Sequence, residues 1–432
     1  MSESPGLLSQ VDGELPGHGV AWLEQLRREA RALFSERGLP TTHDEDWRFT
    51  DLGELARAEL EPAPQAPADV PVPSEPELVP ATHRLVFSGG RLNPERSSFG
   101  SAPEGARVSS LAEMLEREPE RVAPWLGSCV EPKSRSLTAL NSALFADGAF
   151  VELSPGVALE APIHLLYTEA ETGPRYAVHP RNLIVAGEGS HFTLVEHYTG
   201  AGAGGGFTNT VTEIVCGPNA RVDHVVLQEQ PPESFHLAEL GIRQERDSQV
   251  RSHSLALGSR LSRLDIRCLL EGEGAQIDLL GTYLARDRQH VDHHTTIDHA
   301  TPRTTSRELY KGILNDRGRG VFHGRIHVRP GAQKIDADQT NRTLLLSDHA
   351  RINTKPQLEI YADDVRCSHG ASVGRLDAEQ LFYLRSRGIA AEDARALLTL
   401  AFASEVTSQL PLESLRAHVD EFVRGWLSRG TA

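Results

Sequence analysis

Residues 181–198 read RNLIVAGEGSHFTLVEHY, two apolar-rich runs joined by a turn of glycine, glutamate, glycine and serine. The texture returns in NARVDHVVLQEQ (219–230), SQVRSHSLALGS (248–259), GAQIDLLGTYLA (274–285), GVFHGRIHVRPGAQKIDADQ (320–339) and HARINTKPQLEIYADDVRCS (349–368). Short strands separated by small-residue turns, with no helical heptads between them, point to stacked coils of β-structure. A sandwich or barrel needs as many strands. The tight Asn-Gly and Asp-Gly hairpins that an antiparallel meander favours are missing, so the pattern favours a parallel β-helix.

Outward from that core the texture changes. Residues 1–60 form an N-terminal helical unit in which Trp22, Leu23, Leu26, Ala30 and Leu33 recur at helical spacing until Gly38-Leu39-Pro40. Seven prolines between Pro62 and Pro80 mark 61–82 as an extended linker and predict a tethered, mobile N-terminal unit. A mixed connecting segment covers 83–133, the β-helix core 134–374 and a C-terminal helical domain 375–432. In that last domain Asp377 caps DAEQLFYLRSRG (377–388), and Leu412, Leu415, Val419, Phe422 and Trp426 form one helical stripe, expected to pack on the two preceding helices.

The 432 residues carry 44 Lys and Arg against 60 Asp and Glu, a net charge of −16, which argues against nucleic-acid and anionic-lipid surfaces. No stretch approaches the roughly 20 apolar residues of a membrane span, and MSESPGLLSQVDGELPGHG has neither a positive start nor an apolar h-region, so a cytoplasmic location is expected. No Walker lysine loop, GxGxxG strand–helix turn or GxSxG elbow occurs, and the glycine run at 200–206 reads as a loop.

Three places could carry chemistry. In DDVRCSHGASVGRLD (363–377), Cys367 and His369 stand two apart, hence on one face of a strand, and could share a metal, but a site needs further donors. His290, Asp292 and His294 share a strand face in RQHVDHHTTIDHATP, a cupin-like metal reading that lacks a cupin's downstream glutamate. Asp336, Asp338 and Arg342 evoke β-helix enzymes that cut polysaccharides with calcium. Cys129, Cys216 and Cys268, far apart and without ligand-type neighbours, read as structural thiols.

The block from Thr301 to Ile389 resembles the C-terminal half of the SufB/SufD family of iron-sulfur cluster assembly proteins, its SufD branch in particular. LPTTHDEDWRFTDL (39–52) and LNSALFADGAFVELSPGVALEAPIHLLY (140–167) extend the likeness. The resemblance implies a right-handed parallel β-helix between helical ends and a scaffold subunit that is not itself an enzyme. It implies a SufB-like partner joined β-helix to β-helix and a SufC-like ATPase gripped by the C-terminal helices. His369, with Cys367 beside it, then helps hold a transient Fe-S cluster whose other ligands come from the partner. Whether a flavin joins the complex, or the chain pairs with itself when alone, is left open.

Overall fold

The computed structural model describes residues 5–8, 14–64, 66–67, 78–132, 135–169, 175–202 and 204–428. The middle of the proline-rich linker lies outside them.

The chain winds into a parallel β-solenoid of about 8 turns with two sheets. One sheet runs from Ala106–Ser110 and Ala149–Leu153 through Arg181–Ala186, Phe207–Cys216, Phe235–Gln244, Leu261–Leu270, His290–His299 and Arg319–Val328 to Arg351–Ile360. The other runs from His83–Ser88 through Ile163–Glu169, His191–Gly200, Arg221–Gln228, Gln249–Ala256, Gln276–Ala285, Thr305–Leu314 and Ile335–Leu345 to Val365–Gly374. Successive strands alternate between the sheets, so each coil contributes one strand to each. The solenoid begins earlier than expected, because His83–Ser88 from the connecting segment pairs in parallel with Ile163–Glu169.

The corners explain the regular stacking. Gly189, Asn219, Asp247 and Gly274 occupy equivalent turns with φ of 64°, 57°, 56° and 76°, conformations that glycine, asparagine and aspartate tolerate best. Three of these corners donate their amide to the next coil, from Gly189 to Pro218 O at 2.8 Å, Asn219 to Arg246 O at 2.8 Å and Asp247 to Glu273 O at 3.0 Å. Asp287 and Asp316 repeat the conformation on the return side.

Inside, apolar rows from the two sheets meet. Tyr167 stacks on Phe87 and on Tyr198, with ring centroids 4.7 Å apart in both pairs. Glu196 interrupts the apolar row, fully enclosed but satisfied by Tyr198 Oη at 2.6 Å, His224 Nε2 at 2.9 Å and Thr212 Oγ1 at 3.0 Å.

Neither helical end is a separate body, and the tethered N-terminal unit is corrected accordingly. Ala30 and Phe34 of the helix Ala21–Arg37 pack with Ala139, Leu140 and Ala143 of Ser136–Leu144 and with Phe207, Leu237 and Leu261 of the solenoid. The following segment lies on the outer face of the first sheet, with the Trp47 ring 3.8 Å from the Arg263 guanidinium. At the other end, Leu415, Val419, Val423 and Trp426 bury against Leu255, Leu284 and Ile313 of the second sheet as well as Leu400 and Ala403 of the preceding helix. The aromatic stripe therefore docks on the solenoid and not only on neighbouring helices.

Candidate functional site: the open end of the solenoid

The last coil consists of Arg351–Ile360 and Val365–Gly374, the terminal strands of the two sheets. Among the described residues each has a hydrogen-bonding neighbour on one side only, which leaves a row of unpaired backbone groups, the usual template for a further strand. Apolar side chains surround this edge without cover among the described residues. Ile360 is 38%, Tyr361 60% and Val373 48% exposed.

Cys367 and His369 lie on the terminal strand, in register with Ala337 and Gln339 of the preceding coil. Ala337 and Gln339 are buried in the solenoid interior, so Cys367 and His369 continue interior rows to the point where the interior opens. The structure thus places both on the inward face, as their spacing requires. Their surroundings differ. Cys367 touches the cluster of Ile326, Val328, Ala332, Ile335 and Ala337. Burial, and then the Asp336 carboxylate, push its thiol up, away from the thiolate that binds metals. His369 is exposed and makes no hydrogen bond or ion pair among the described residues. Beside them, Ser368 Oγ donates to Asp338 Oδ2 at 2.6 Å.

Directly below His369 the interior row is polar, which the sequence pattern does not reveal. Gln339 Nε2 donates to Glu308 Oε2 at 2.6 Å, and both side chains are fully enclosed. Burial pushes the Glu308 carboxyl up to about 7. Protonation of Glu308 therefore favours the folded state, an advantage fully present below the ordinary value of 4.5 and lost as pH rises through about 7. Glu308→Gln, which imitates the protonated group, is expected to flatten the decline in stability across that window. Denaturation midpoints at several pH values measure it, and an unchanged slope would assign the decline to other groups.

The remaining sequence candidates separate. Asp336 pairs with Arg307 at 2.6 Å, Asp338 with Ser368, and Arg342 with Glu405 at 3.3 Å, so the three side chains serve three different contacts and form no common carbohydrate site. On the first sheet, His290 Nε2 and Asp292 Oδ2 both engage Thr50 Oγ1, at 2.9 and 2.5 Å. Asp292 also pairs with the buried Arg263 at 2.7 Å. Burial alone would raise this carboxyl, but Arg263 and then His294 hold it well below the usual range. His294 Nε2 stands 3.1 Å from Asp292 Oδ1 and its ring also faces His323 of the next coil, with ring centroids 5.0 Å apart, a neighbour outside the quoted run. Cys216 and Cys268 are buried and Cys129 half-buried. Burial raises all three thiols, Cys129 to about 12, in keeping with structural roles. The glycine run at 200–206 joins His191–Gly200 to Phe207–Cys216, and no helix follows it to receive a phosphate.

Comparison with known proteins matches this architecture along nearly the whole chain. Residues 167–402 match the SufBD core domain of the SUF system for FeS cluster assembly, and residues 6–165 match the SufBD protein N-terminal region. An iron-sulfur cluster assembly SufBD family protein of Synechocystis is 35% identical over 92% of this chain and 89% of its own length. Iron-sulfur cluster assembly protein SufD of Escherichia coli is 32% identical over 88% of both chains, and SufD of Bacillus subtilis 32% identical over 66% of both. No helix among the described residues is long and apolar enough to cross a membrane. With two family domains end to end over the solenoid and its docked N-terminal segment, the chain belongs to the SufBD family of iron-sulfur cluster assembly proteins.

Proposed function

We propose that this chain is the SufD-like scaffold subunit of a cluster assembly complex, without an enzymatic reaction of its own, working in the cytoplasm with a SufB-like subunit and a SufC-like ATPase. The observation that carries the reading is the last coil, uncapped among the described residues, with its unpaired strand edge, its exposed Ile360, Tyr361 and Val373, and on the inward row a His369 that none of those residues engages. A partner coil laid on this edge would continue both sheets, cover the apolar side chains and bring its own donors to Cys367 and His369. A nascent Fe-S cluster is cargo there, held by ligands from two chains. Val373→Asp tests the pairing, because a charge on the edge opposes burial under a partner. The variant should melt as wild type does yet fail to co-purify with the SufB-like subunit, and unchanged co-purification would place the interface elsewhere.

The ATPase contact is assigned to the helix Ala378–Ser386. Asp377 caps it, accepting from the Glu379 amide at 2.8 Å and the Gln380 amide at 3.3 Å, and Gly388 at φ 87° ends it. None of its residues is buried, and Phe382 and Tyr383 are 74% and 57% exposed. Adjacent exposed aromatic side chains suit an interface anchor. The double change Phe382→Ala, Tyr383→Ala should abolish capture of the ATPase subunit at a cost of about 2 kcal/mol or more in binding, without lowering the melting temperature. Capture at wild-type strength would send the docking site to another surface.

A further inference from the structure

On the outer face of the first sheet, one coil before the open end, the residues Asp46, His294 and His323 each offer one ligand atom, and these atoms lie within 4.8 Å of one another. They come from three separate pieces of chain. His294 and His323 are register partners on adjacent coils, in a row that passes through Asp265 and continues to Lys355. Asp46 descends from the segment that crosses the sheet between Thr41 and Thr50.

We propose that Asp46, His294 and His323 form a binding site for one divalent transition-metal ion of the Zn(II) and Fe(II) class, which clasps the N-terminal segment to two coils of the solenoid. Two imidazoles and one carboxylate with room for water are the donor set such ions take. Four donors at about 2.0 Å around a tetrahedral ion stand roughly 3.3 Å apart, so small side-chain rotations would close the present arrangement. Three observations point to a ligand. His323 is 91% enclosed, since 9% of it is exposed, and its Nε2 has no hydrogen-bond partner among the described residues, a costly state for a buried polar atom. Asp292 Oδ1 stands 3.1 Å from His294 Nε2, the carboxylate partner that commonly orients a metal-binding histidine. A cavity of about 280 Å³ opens beside these groups, lined also by Thr50 and Phe49, with space for an ion and its waters. The nearby cation Lys355 is engaged by Glu45 at 3.0 Å, and Arg135 reaches Asp46 at only 3.8 Å.

This site is independent of the cluster-assembly reading. The test uses untagged full-length protein, stripped with chelator and titrated without oxygen with Co(II) as a spectroscopic stand-in, then with Zn(II) and Fe(II) in competition. Wild-type protein should bind one equivalent, develop visible d–d bands without a thiolate charge-transfer band, and melt at a higher temperature when loaded. His323→Ala should lose the bands and the thermal gain. Asp46→Asn, whose side chain is 44% exposed and whose replacement should leave the fold intact, should bind at least about tenfold more weakly. The Cys367→Ser, His369→Ala double variant should bind as wild type does. Absence of one-equivalent binding in wild type, retention of the bands in both His323→Ala and Asp46→Asn, or their loss in the terminal-strand variant would each overturn the proposal.

Discussion

Arg263→Ala is expected to cost about 3 to 5 kcal/mol of folding stability, the range for removing one partner of a buried ion pair. Arg263 is 1% exposed. Its guanidinium reaches Asp265 Oδ2 and Asp292 Oδ2 at 2.7 Å each, donates to the Asp46 carbonyl at 2.7 Å and lies under the Trp47 ring. It therefore joins two coils to the N-terminal segment. In the alanine variant Asp265 retains Arg135, but Asp292 keeps Thr50 and His294 beside it and stays enclosed. Arg263→Met combined with Asp292→Leu should recover a large part of the loss, because neither charge then needs the other. Urea denaturation of the two variants decides it, and a single-variant cost below about 1 kcal/mol would show that water reaches the cluster.

The pH dependence supplies a second check on that cluster. In the native protein Asp265 and Asp292 are held below their ordinary value against the effect of burial. The stability they contribute is present above about pH 4 and is lost as pH falls through their lower folded values. Without Arg263, burial dominates at Asp292 and its carboxyl rises. The variant then gains on wild type as pH falls from about 7 toward 4, so the gap between their denaturation midpoints should narrow over that range.

The turns made the fold legible, and the partners across coils did not. Asn219, Asp247, Asp287 and Asp316 stand where the backbone needs positive φ, and each interrupts apolar alternation at a corner, so strand and turn could be read together. Coil length is uneven, however. The same position passes from Phe207 to Phe235, Leu261, His290, Arg319 and Arg351 at changing intervals, which hides that His294 faces His323 and that Gln339 lies beneath His369. The docked N-terminal segment was hidden for another reason. Its attachments through Glu45, Asp46, Trp47 and Thr50 are polar or cation–π contacts to Lys355, Arg263, His290 and Asp292, and no periodicity in a ten-residue segment announces such contacts. The proline-rich stretch that follows invited the expectation of a tether, yet it leaves from a segment already fixed to the sheet.

His369→Ala should lower the cluster content of the reconstituted complex by more than the roughly 10- to 100-fold change in affinity that loss of an outer-shell partner brings. Folding stability should hardly move. The imidazole sits on an exposed terminal strand with no hydrogen bond to lose among the described residues, and surface changes of that kind stay within about 0.5 kcal/mol. Cys367→Ser gives a less direct answer. Its side chain packs against the cluster of Ile326, Val328, Ala332, Ile335 and Ala337, and a hydroxyl placed there without a partner costs about 1 to 3 kcal/mol through desolvation alone. Lower cluster content in that variant would therefore mix packing with ligation. The discriminating comparison is iron and sulfide content in wild-type and His369→Ala complexes matched for subunit stoichiometry and melting temperature. His369→Gln is included because it keeps a polar side chain while removing the imidazole nitrogen that binds iron. If the imidazole is a ligand, both variants lose the cluster and both still pair with the SufB-like subunit. If His369 only fills the seam between two coils, the glutamine variant keeps the cluster at wild-type level, and the terminal strand is then a pairing edge without a ligand.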